Sequence, residues 1–473
     1  MTLLTMIRLK NISVLLLPLV LILLNGCSVE LEQNRVMIVK GNVQNSPYSK
    51  ISLRLPEKLV FSKIDSLGNF FFAIDSHSPL FMRLQLAERG LPIYSEPGNI
   101  DSISCVEEFR NNLQFSGDNS IVNRYLLKKI LNYESELRML PQYYLLDALS
   151  FCFRMDSLQS IFDSDFKKIK SESTLTQKFA DLETAQIMYK FANLKLTFSN
   201  GHKFFTKNEN TELPREYFTF LEKLDLNNPN LLNSPEFLDF ARRYIKLKMN
   251  NYPMDSMPEQ KRELILLQEK MKLIPALFSD TSIIEKLLFD EMKSVLKESQ
   301  SVYVSELFIL YDSLSNSTHF KEEVSALYRE WKALTKGKPA PEIICTNLKG
   351  NSISLKDFRG YIIVLDIWAS WCNPCRREFP LIKEMTAKYK NKNIVFISIS
   401  VDDDREKWKK TLTNYQLEGI QLFANNGWES SVIKEYNINT IPRFILIDQN
   451  GKIINTDAPS PTKGLSKLLD ELI

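Results

Sequence analysis

Two cysteines stand two residues apart in the run Trp371-Cys372-Asn373-Pro374-Cys375. Thiols at that spacing close a small disulfide and reopen it, so the chemistry on offer is dithiol exchange. Position decides whether such a pair is reactive. Tyr361 to Ile367 is a continuous apolar run (Ile362, Ile363, Val364, Leu365), as a strand buried on both faces requires. An amphipathic helix follows the cysteines to about Lys390. Cys372 therefore falls where a strand ends and a helix begins. Unpaired backbone N–H groups and the positive end of the helix dipole there favour thiolate over thiol. That placement lowers a cysteine from about 8.5 into a range of roughly 3.5–7.5. The thiolate is the attacking species in exchange. Cys375, one helical turn on and less exposed, is placed to attack a mixed disulfide and release the reduced partner. Pro374 is tolerated in the first turn, where its missing N–H goes unused.

Other cysteine chemistries fit less well. A zinc site needs two more ligands, and neither a second CxxC nor a neighbouring His is present. Haem attachment needs His after Cys375, where the chain has Arg376. His77, His202 and His319 each stand without a companion at metal-ligand spacing, and His77 reads as a satisfied surface residue. No metal and no cofactor beyond the Cys372–Cys375 disulfide is expected.

The elements that must position the pair follow from periodicity. After Lys336-Gly337-Lys338-Pro339-Ala340-Pro341, whose prolines and glycine stop a helix and force extended backbone, strand and helix alternate. Asn393 to Ser400 is a second buried strand, and a helix runs from about Asp404 to Tyr415. Ile420 to Phe423 is a short strand and Glu429 to Tyr436 a helix. Arg443 to Asp448 and Lys452 to Thr456 are joined by the hairpin signal Gln449-Asn450-Gly451, and a last helix covers Lys463 to Leu472. This describes a mixed sheet with helices on both faces.

Gly337-Lys338-Pro339-Ala340-Pro341, the run Gly350 to Gly360, Asp366-Ile367-Trp368-Ala369-Ser370-Trp371-Cys372-Asn373-Pro374-Cys375, Glu378-Phe379-Pro380 and Thr440-Ile441-Pro442 form one pattern across residues 337–473. In that pattern the segment resembles the TlpA/ResA-like membrane-tethered thioredoxins, related to the AhpC/TSA group. The resemblance implies a thioredoxin-like fold and thiol:disulfide oxidoreductase activity. It also implies a buried acid at Asp366 beneath the cysteines, raised by burial and able to accept the Cys375 proton. Glu378, one turn beyond Cys375, matches a functional Glu of the ResA-like proteins; possessing both acids departs from most relatives and leaves open which dominates. Pro442 matches the cis-proline, with the preceding Ile441 offering its backbone to substrate beside the cysteines. Trp371 is expected to shield the thiolate and contact partners. The Pro/Thr-bearing setting of a peroxiredoxin's peroxidatic cysteine is absent.

Ahead of this domain lie two others. From about Arg35 to Phe115 the period is two, with strands at Val36–Val39, Ile51–Leu55, Phe70–Ile74, Phe81–Leu86 and Ile100–Val106 and a hairpin turn at Leu67-Gly68-Asn69. Strands without intervening helices imply a small antiparallel sandwich, and the segment resembles an uncharacterised β-domain found ahead of thioredoxin domains in bacterial lipoproteins. From about Asn119 to Lys336 the period is helical, in stretches such as 121–139, 158–169, 176–198 and 283–296, with Asp118, Asp156 and Asp280 as candidate N-caps. The aromatic stripes of those helices read as core.

The chain is 473 residues with 44% hydrophobic and 25% charged residues and net charge +3, so several globular domains are expected and no nucleic-acid partner. At the N-terminus Arg8 and Lys10 precede an apolar run from Ile12 to Leu24, short for a spanning helix and suited to a signal peptide. Leu24-Asn25-Gly26-Cys27 resembles the bacterial lipobox, which implies lipidation at Cys27 and a periplasm-facing envelope location. Ser28, rather than Asp, favours the outer membrane. Cys105, Cys152 and Cys345 remain, an odd number placed in apolar stretches, and read as buried thiols.

The organisation expected is a multidomain chain: signal peptide 1–26, linker 27–34, antiparallel β-sandwich 35–118, all-α segment 119–336 and α/β thioredoxin-like domain 337–473. Its expected function is reduction of cell-envelope protein disulfides, with electrons from an inner-membrane thiol donor; oxidase or isomerase direction stays open. The competing reading is an envelope interaction or scaffold protein whose sandwich and helices bind a partner, the thiols being auxiliary. Replacing Cys372 and Cys375 together by Ser separates the two.

Overall fold

The structure, a computed structural model, describes residues 35–56, 58–86, 89–106, 113–209, 213–250, 261–298 and 303–473. The expected signal segment and Cys27 lie outside the described residues. Two compact units are present, Met1–Asp255 with Ala276–Ile283, and Ser256–Pro275 with Ile284–Ile473. Among the described residues no helix is long and apolar enough to cross a membrane.

The first unit opens with eight strands: β1 (Val36–Gln44), β2 (Lys50–Arg54), β3 (Leu59–Lys63), β4 (Asn69–Asp75), β5 (Leu80–Leu86), β6 (Arg89–Ser95), β7 (Ile100–Val106) and β8 (Gln114–Gly117). They form two four-stranded sheets, ordered β4-β1-β7-β8 and β3-β2-β5-β6. Alternate residues of both, among them Met37, Val39, Phe72 and Ile103 from one and Leu53, Leu84 and Ile93 from the other, meet in one apolar core. The expectation of wholly antiparallel pairing is corrected at one place, because β1 and β7 pair in parallel. The chain crosses to the other sheet and back between them, so β7 returns in the direction of β1, as parallel neighbours require. At this contact Gly41 is obligatory: a Cβ there would strike the Ile103 carbonyl and the Phe70 ring.

Helices α1 (Ser120–Leu137), α2 (Ala148–Glu172), α3 (Gln177–Thr206) and α4 (Pro235–Met249) follow, with a single helical turn at Leu140–Tyr143 between α1 and α2 and two 3-10 turns before α4. The buried Asn123 amide of α1 holds both the N–H and the C=O of Tyr94 on β6, at 2.7 and 3.1 Å. Two of the expected N-caps are corrected. Asp118 accepts the Ile100 N–H at 2.7 Å, while Asn119 takes the cap position of α1. The second long helix starts ten residues earlier than its periodicity indicates, with Asp147 accepting the Ser150 N–H at 3.0 Å, so Asp156 is an interior residue paired with Lys195 at 2.6 Å. Asp280 does cap its helix, accepting the Ile283 N–H at 3.1 Å.

Further along come α5 (Arg262–Leu277), through which the division between the units passes, α6 (Thr281–Glu298), α7 (Val304–Leu314) and α8 (Thr318–Ala333). The second unit then contains β9 (Ile344–Asn347), β10 (Ser352–Ser354), β11 (Ile362–Trp368), α9 (Asn373–Lys388), β12 (Ile394–Ser400), α10 (Arg405–Tyr415), β13 (Ile420–Phe423), α11 (Ser431–Glu435), β14 (Arg443–Ile447), β15 (Ile453–Ala458) and α12 (Leu465–Asp470). These strands make one seven-stranded mixed sheet, β10-β9-β13-β12-β11-β14-β15. β11 is central and every one of its residues is buried, which explains its unbroken apolar character. The Gly337–Pro341 segment is hydrogen-bonded along the free side of β15: Gly337 N–H to the Ile453 carbonyl and Ala340 N–H to the Gly451 carbonyl, with Ile453 N–H returning to Lys338.

Candidate active site

The site forms where β11 gives way to α9. After Trp368 the chain turns through Ala369, Ser370 and Trp371, and Cys372 occupies the N-cap of α9. Its Sγ accepts the backbone N–H of Cys375 at 3.2 Å, one of the donors a helix start leaves without an intrahelical partner. Pro374 sits in the first turn, where its missing N–H is not needed. Cys372 and Cys375 form a disulfide and are both buried, at 4% and 1% exposed. The Ile441 carbonyl oxygen lies 3.8 Å from Cys372 Sγ, and the Ile441–Pro442 bond is cis. Residues far apart in sequence, Cys372, Cys375, Ile441 and Pro442, are thereby brought together at the carboxyl end of the central strand, the end where α/β sheets place ligands.

The two acids are set differently. Asp366, on β11, is buried and accepts one hydrogen bond, from Ser398 Oγ at 3.1 Å. Desolvation is the main cause that pushes its carboxyl up to about 7; the Ser398 bond opposes the rise and the Glu378 charge adds to it. Glu378, on α9, is also buried, and both its oxygens are held by Thr462, from the hydroxyl at 2.6 Å and the N–H at 3.1 Å. The pair combines a carboxyl able to change protonation near neutrality with one fixed by two donors.

Trp371 is 57% exposed beside the disulfide, with the Trp428 ring 6.4 Å away. Trp428 was missed by sequence reasoning, as were Ser398, Thr462 and Asp402. Asp402 is buried at the end of β12 and takes the Ser370 N–H at 2.9 and 3.1 Å and the hydroxyls of Ser370 and Ser400 at 2.7 Å each. A signal for it existed in the sequence: acidic residues at the carboxyl end of a buried strand next to the one bearing the cysteines.

The remaining candidates stay outside this cluster. Cys105 and Cys345 are buried and Cys152 is half-buried, and all three are free. Burial pushes the Cys345 thiol up to about 11 and raises the other two, which keeps them as unreactive thiols. His202 Nδ1 lies 2.8 Å from the Tyr144 carbonyl. No group of three or more His, Cys, Asp or Glu residues suited to a metal occurs among the described residues.

Comparison with known proteins bears on the same segment. The Redoxin family matches residues 335–472. The thiol-disulfide oxidoreductase ResA of Bacillus thuringiensis subsp. konkukian (strain 97-27) is 35% identical over 127 residues, 27% of this chain and 72% of that protein. ResA of Bacillus anthracis is 32% identical over the same length and shares. Among solved structures, a thiol-disulfide oxidoreductase from Bacteroides fragilis NCTC 9343 is 34% identical with a TM-score of 0.27, covering 29% of this chain and all (100%) of that one. With so much of the curated relative's length shared at that identity, the chain belongs to the TlpA/ResA-like thiol-disulfide oxidoreductases of the thioredoxin family.

Proposed function

We propose that this oxidoreductase works as a lipid-tethered reductase of disulfides in cell-envelope proteins, through Cys372 and Cys375. The observation that carries the reading is the seating of Cys372 Sγ on the Cys375 N–H at the start of α9, facing the Ile441 carbonyl. A thiolate in that seat is stabilised by the N–H and the helix dipole. In the reduced form the Cys372 thiolate attacks a substrate disulfide, one substrate sulfur leaves as thiolate, and a mixed disulfide forms. Asp366, in its carboxylate form, takes the Cys375 proton. The Cys375 thiolate then attacks Cys372 Sγ, closing the intramolecular disulfide and releasing the second substrate sulfur. Two electrons pass to the substrate, and a dithiol donor, proposed to lie in the inner membrane, restores the reduced form. Ile441 and Pro442 border the substrate chain, and Trp371 covers its flank. Glu378, held by the Thr462 hydroxyl and N–H, stands beside the relay.

The tether rests on Arg8, Lys10, the apolar run to Leu24 and Leu24-Asn25-Gly26-Cys27. In cells, Cys375→Ser is expected to accumulate mixed disulfides through Cys372 with envelope proteins. An empty trap with a reactive Cys372 thiolate would sink the reading. Separately, Cys27→Ala is expected to move the protein from the membrane to the soluble fraction of the envelope.

A further inference from the structure

Next to the disulfide two indoles face solvent. Trp371 is 57% exposed and Trp428 is 37% exposed, large fractions for tryptophan, and their rings lie 6.4 Å apart at 32°. Both are fixed from behind by one short loop, Val401 to Asp403. On one side Asp402 grips Ser370, the residue before Trp371, through its N–H and its hydroxyl. On the other side the loop backs Gly427, the residue before Trp428. Gly427 has φ +51°, and a Cβ there would strike Asp403 Oδ1 and approach the Val401 carbonyl. The turn carrying Trp428 is thus pressed onto the loop as closely as glycine permits. Val401 N–H is bound to the Trp368 carbonyl and Ala424 N–H to the Ser400 carbonyl, so the loop is itself tied to the sheet. An aromatic pair exposed to water, one ring borne by the residue next to the sulfur that must meet the substrate and both on backbone anchored to one loop, is an arrangement suited to recognition.

We propose that Trp371 and Trp428 form a landing surface for a bulky apolar side chain close to the disulfide of a protein substrate, with Trp428 setting the preference. The inference rests on the exchange reaction at Cys372 and names the kind of substrate it takes: an extended segment with an aromatic or large aliphatic residue near its cysteine. The attack on sulfur is unchanged. The indoles contribute by removing apolar surface from water when the segment docks, which favours apolar-flanked disulfides over polar-flanked ones.

The test uses the full chain and three synthetic disulfide peptides of one length, carrying Phe, Ser or Lys beside the cysteine. The reduced wild type is expected to favour the Phe peptide over the Ser peptide by about tenfold in kcat/KM, mostly through KM. Trp428→Ala is expected to bring that ratio close to one, and Trp428→Phe to restore most of it. Equal use of the Phe and Ser peptides by the wild type, a preference for Lys, or an undiminished preference in Trp428→Ala would each overturn the proposal. So would equal slowing of all three peptides, which marks a structural role. Failure of the wild type to reduce any peptide or oxidised dithiothreitol is a different result, because it removes the exchange reaction itself.

Discussion

Asp101 in the first unit and Asp366 in the second are both buried aspartates, 1% and 3% exposed, and desolvation raises both. Their surroundings differ in the supply of donors. Asp101, on β7, accepts Ser95 Oγ at 2.7 Å, Asn119 N–H at 2.9 Å and Asn119 Nδ2 at 3.0 Å, joining the end of β6 to the entry of α1. Asp366 has the Ser398 hydroxyl, and the Glu378 charge pushes its carboxyl further in the direction that burial already drives. A well-supplied buried carboxylate is a joint between elements. A like charge raises each of them, Asp118 at Asp101 and Glu378 at Asp366, so it is the poor supply of donors that leaves Asp366 able to exchange its proton, and burial alone does not distinguish the two.

That contrast can be attacked from several sides. The largest effect belongs to the cysteines: Cys372→Ser is expected to lower disulfide reduction by about a thousandfold or more in a stopped-flow or insulin-type assay. Asp366→Asn comes next, with a loss of about a hundredfold near pH 8. For the wild type the rate should rise as pH passes about 7, where Asp366 gains its carboxylate form, and the variant's profile should lack that limb. Stability should run the other way. A carboxyl raised in the fold binds its proton more tightly there than in the unfolded chain. Its contribution is therefore fully present below the unfolded pKa and is lost as pH rises through about 7. Asp366→Asn should accordingly gain in melting temperature over the wild type at pH 8, and less at pH 5. A variant no more stable than the wild type at pH 8 would break the assignment.

Asp101→Ala should do the opposite in kind. It strands the Ser95 and Asn119 donors, costing about 1–3 kcal/mol in denaturant unfolding while turnover stays within twofold. A large fall in turnover without a stability loss would show that the joint carries function. Glu378→Gln keeps an acceptor for Thr462 and removes a charge, so a change of a few fold is expected, along with a lower apparent pKa in the rate profile. Smallest of all, replacing Cys105, Cys152 or Cys345 by Ala should leave peptide reduction within twofold.

Much of the dithiol's neighbourhood could be read in the sequence because its signals are local. The apolar run of β11, the cysteine spacing and the proline of the first turn all lie within a short stretch, and the strand and helix alternation beyond it is strongly periodic. The partners Ser398, Asp402 and Thr462 are chosen by the fold from 32 or 84 residues away, and no periodicity announces them. Trp428 carries no local signal in the sequence and is 37% exposed near Trp371 in the structure. In the first unit β3, β6 and β8 escaped notice. β6 is broken by Gly90 and Pro92, which a sheet tolerates here because β6 is an edge strand, paired among the described strands with β5 alone. The hairpin of β9 and β10 is short, and its turn is organised by the Asn347 side chain rather than by an apolar pattern. The parallel pairing of β1 with β7 is a topological fact, which strand periodicity does not encode.

The stretch from Gly337 to Ala340 has the composition of a hinge, yet its backbone is bonded to β15. β15 is the last strand of the sheet, and an uncovered last strand is a template on which a second molecule can grow. These few residues therefore act as a selvedge, finishing a woven edge so that it does not catch on its neighbour. Excision of the C-terminal domain at Pro341 would remove that finish and should yield a protein that aggregates at concentrations where one starting ahead of Lys336 stays monomeric.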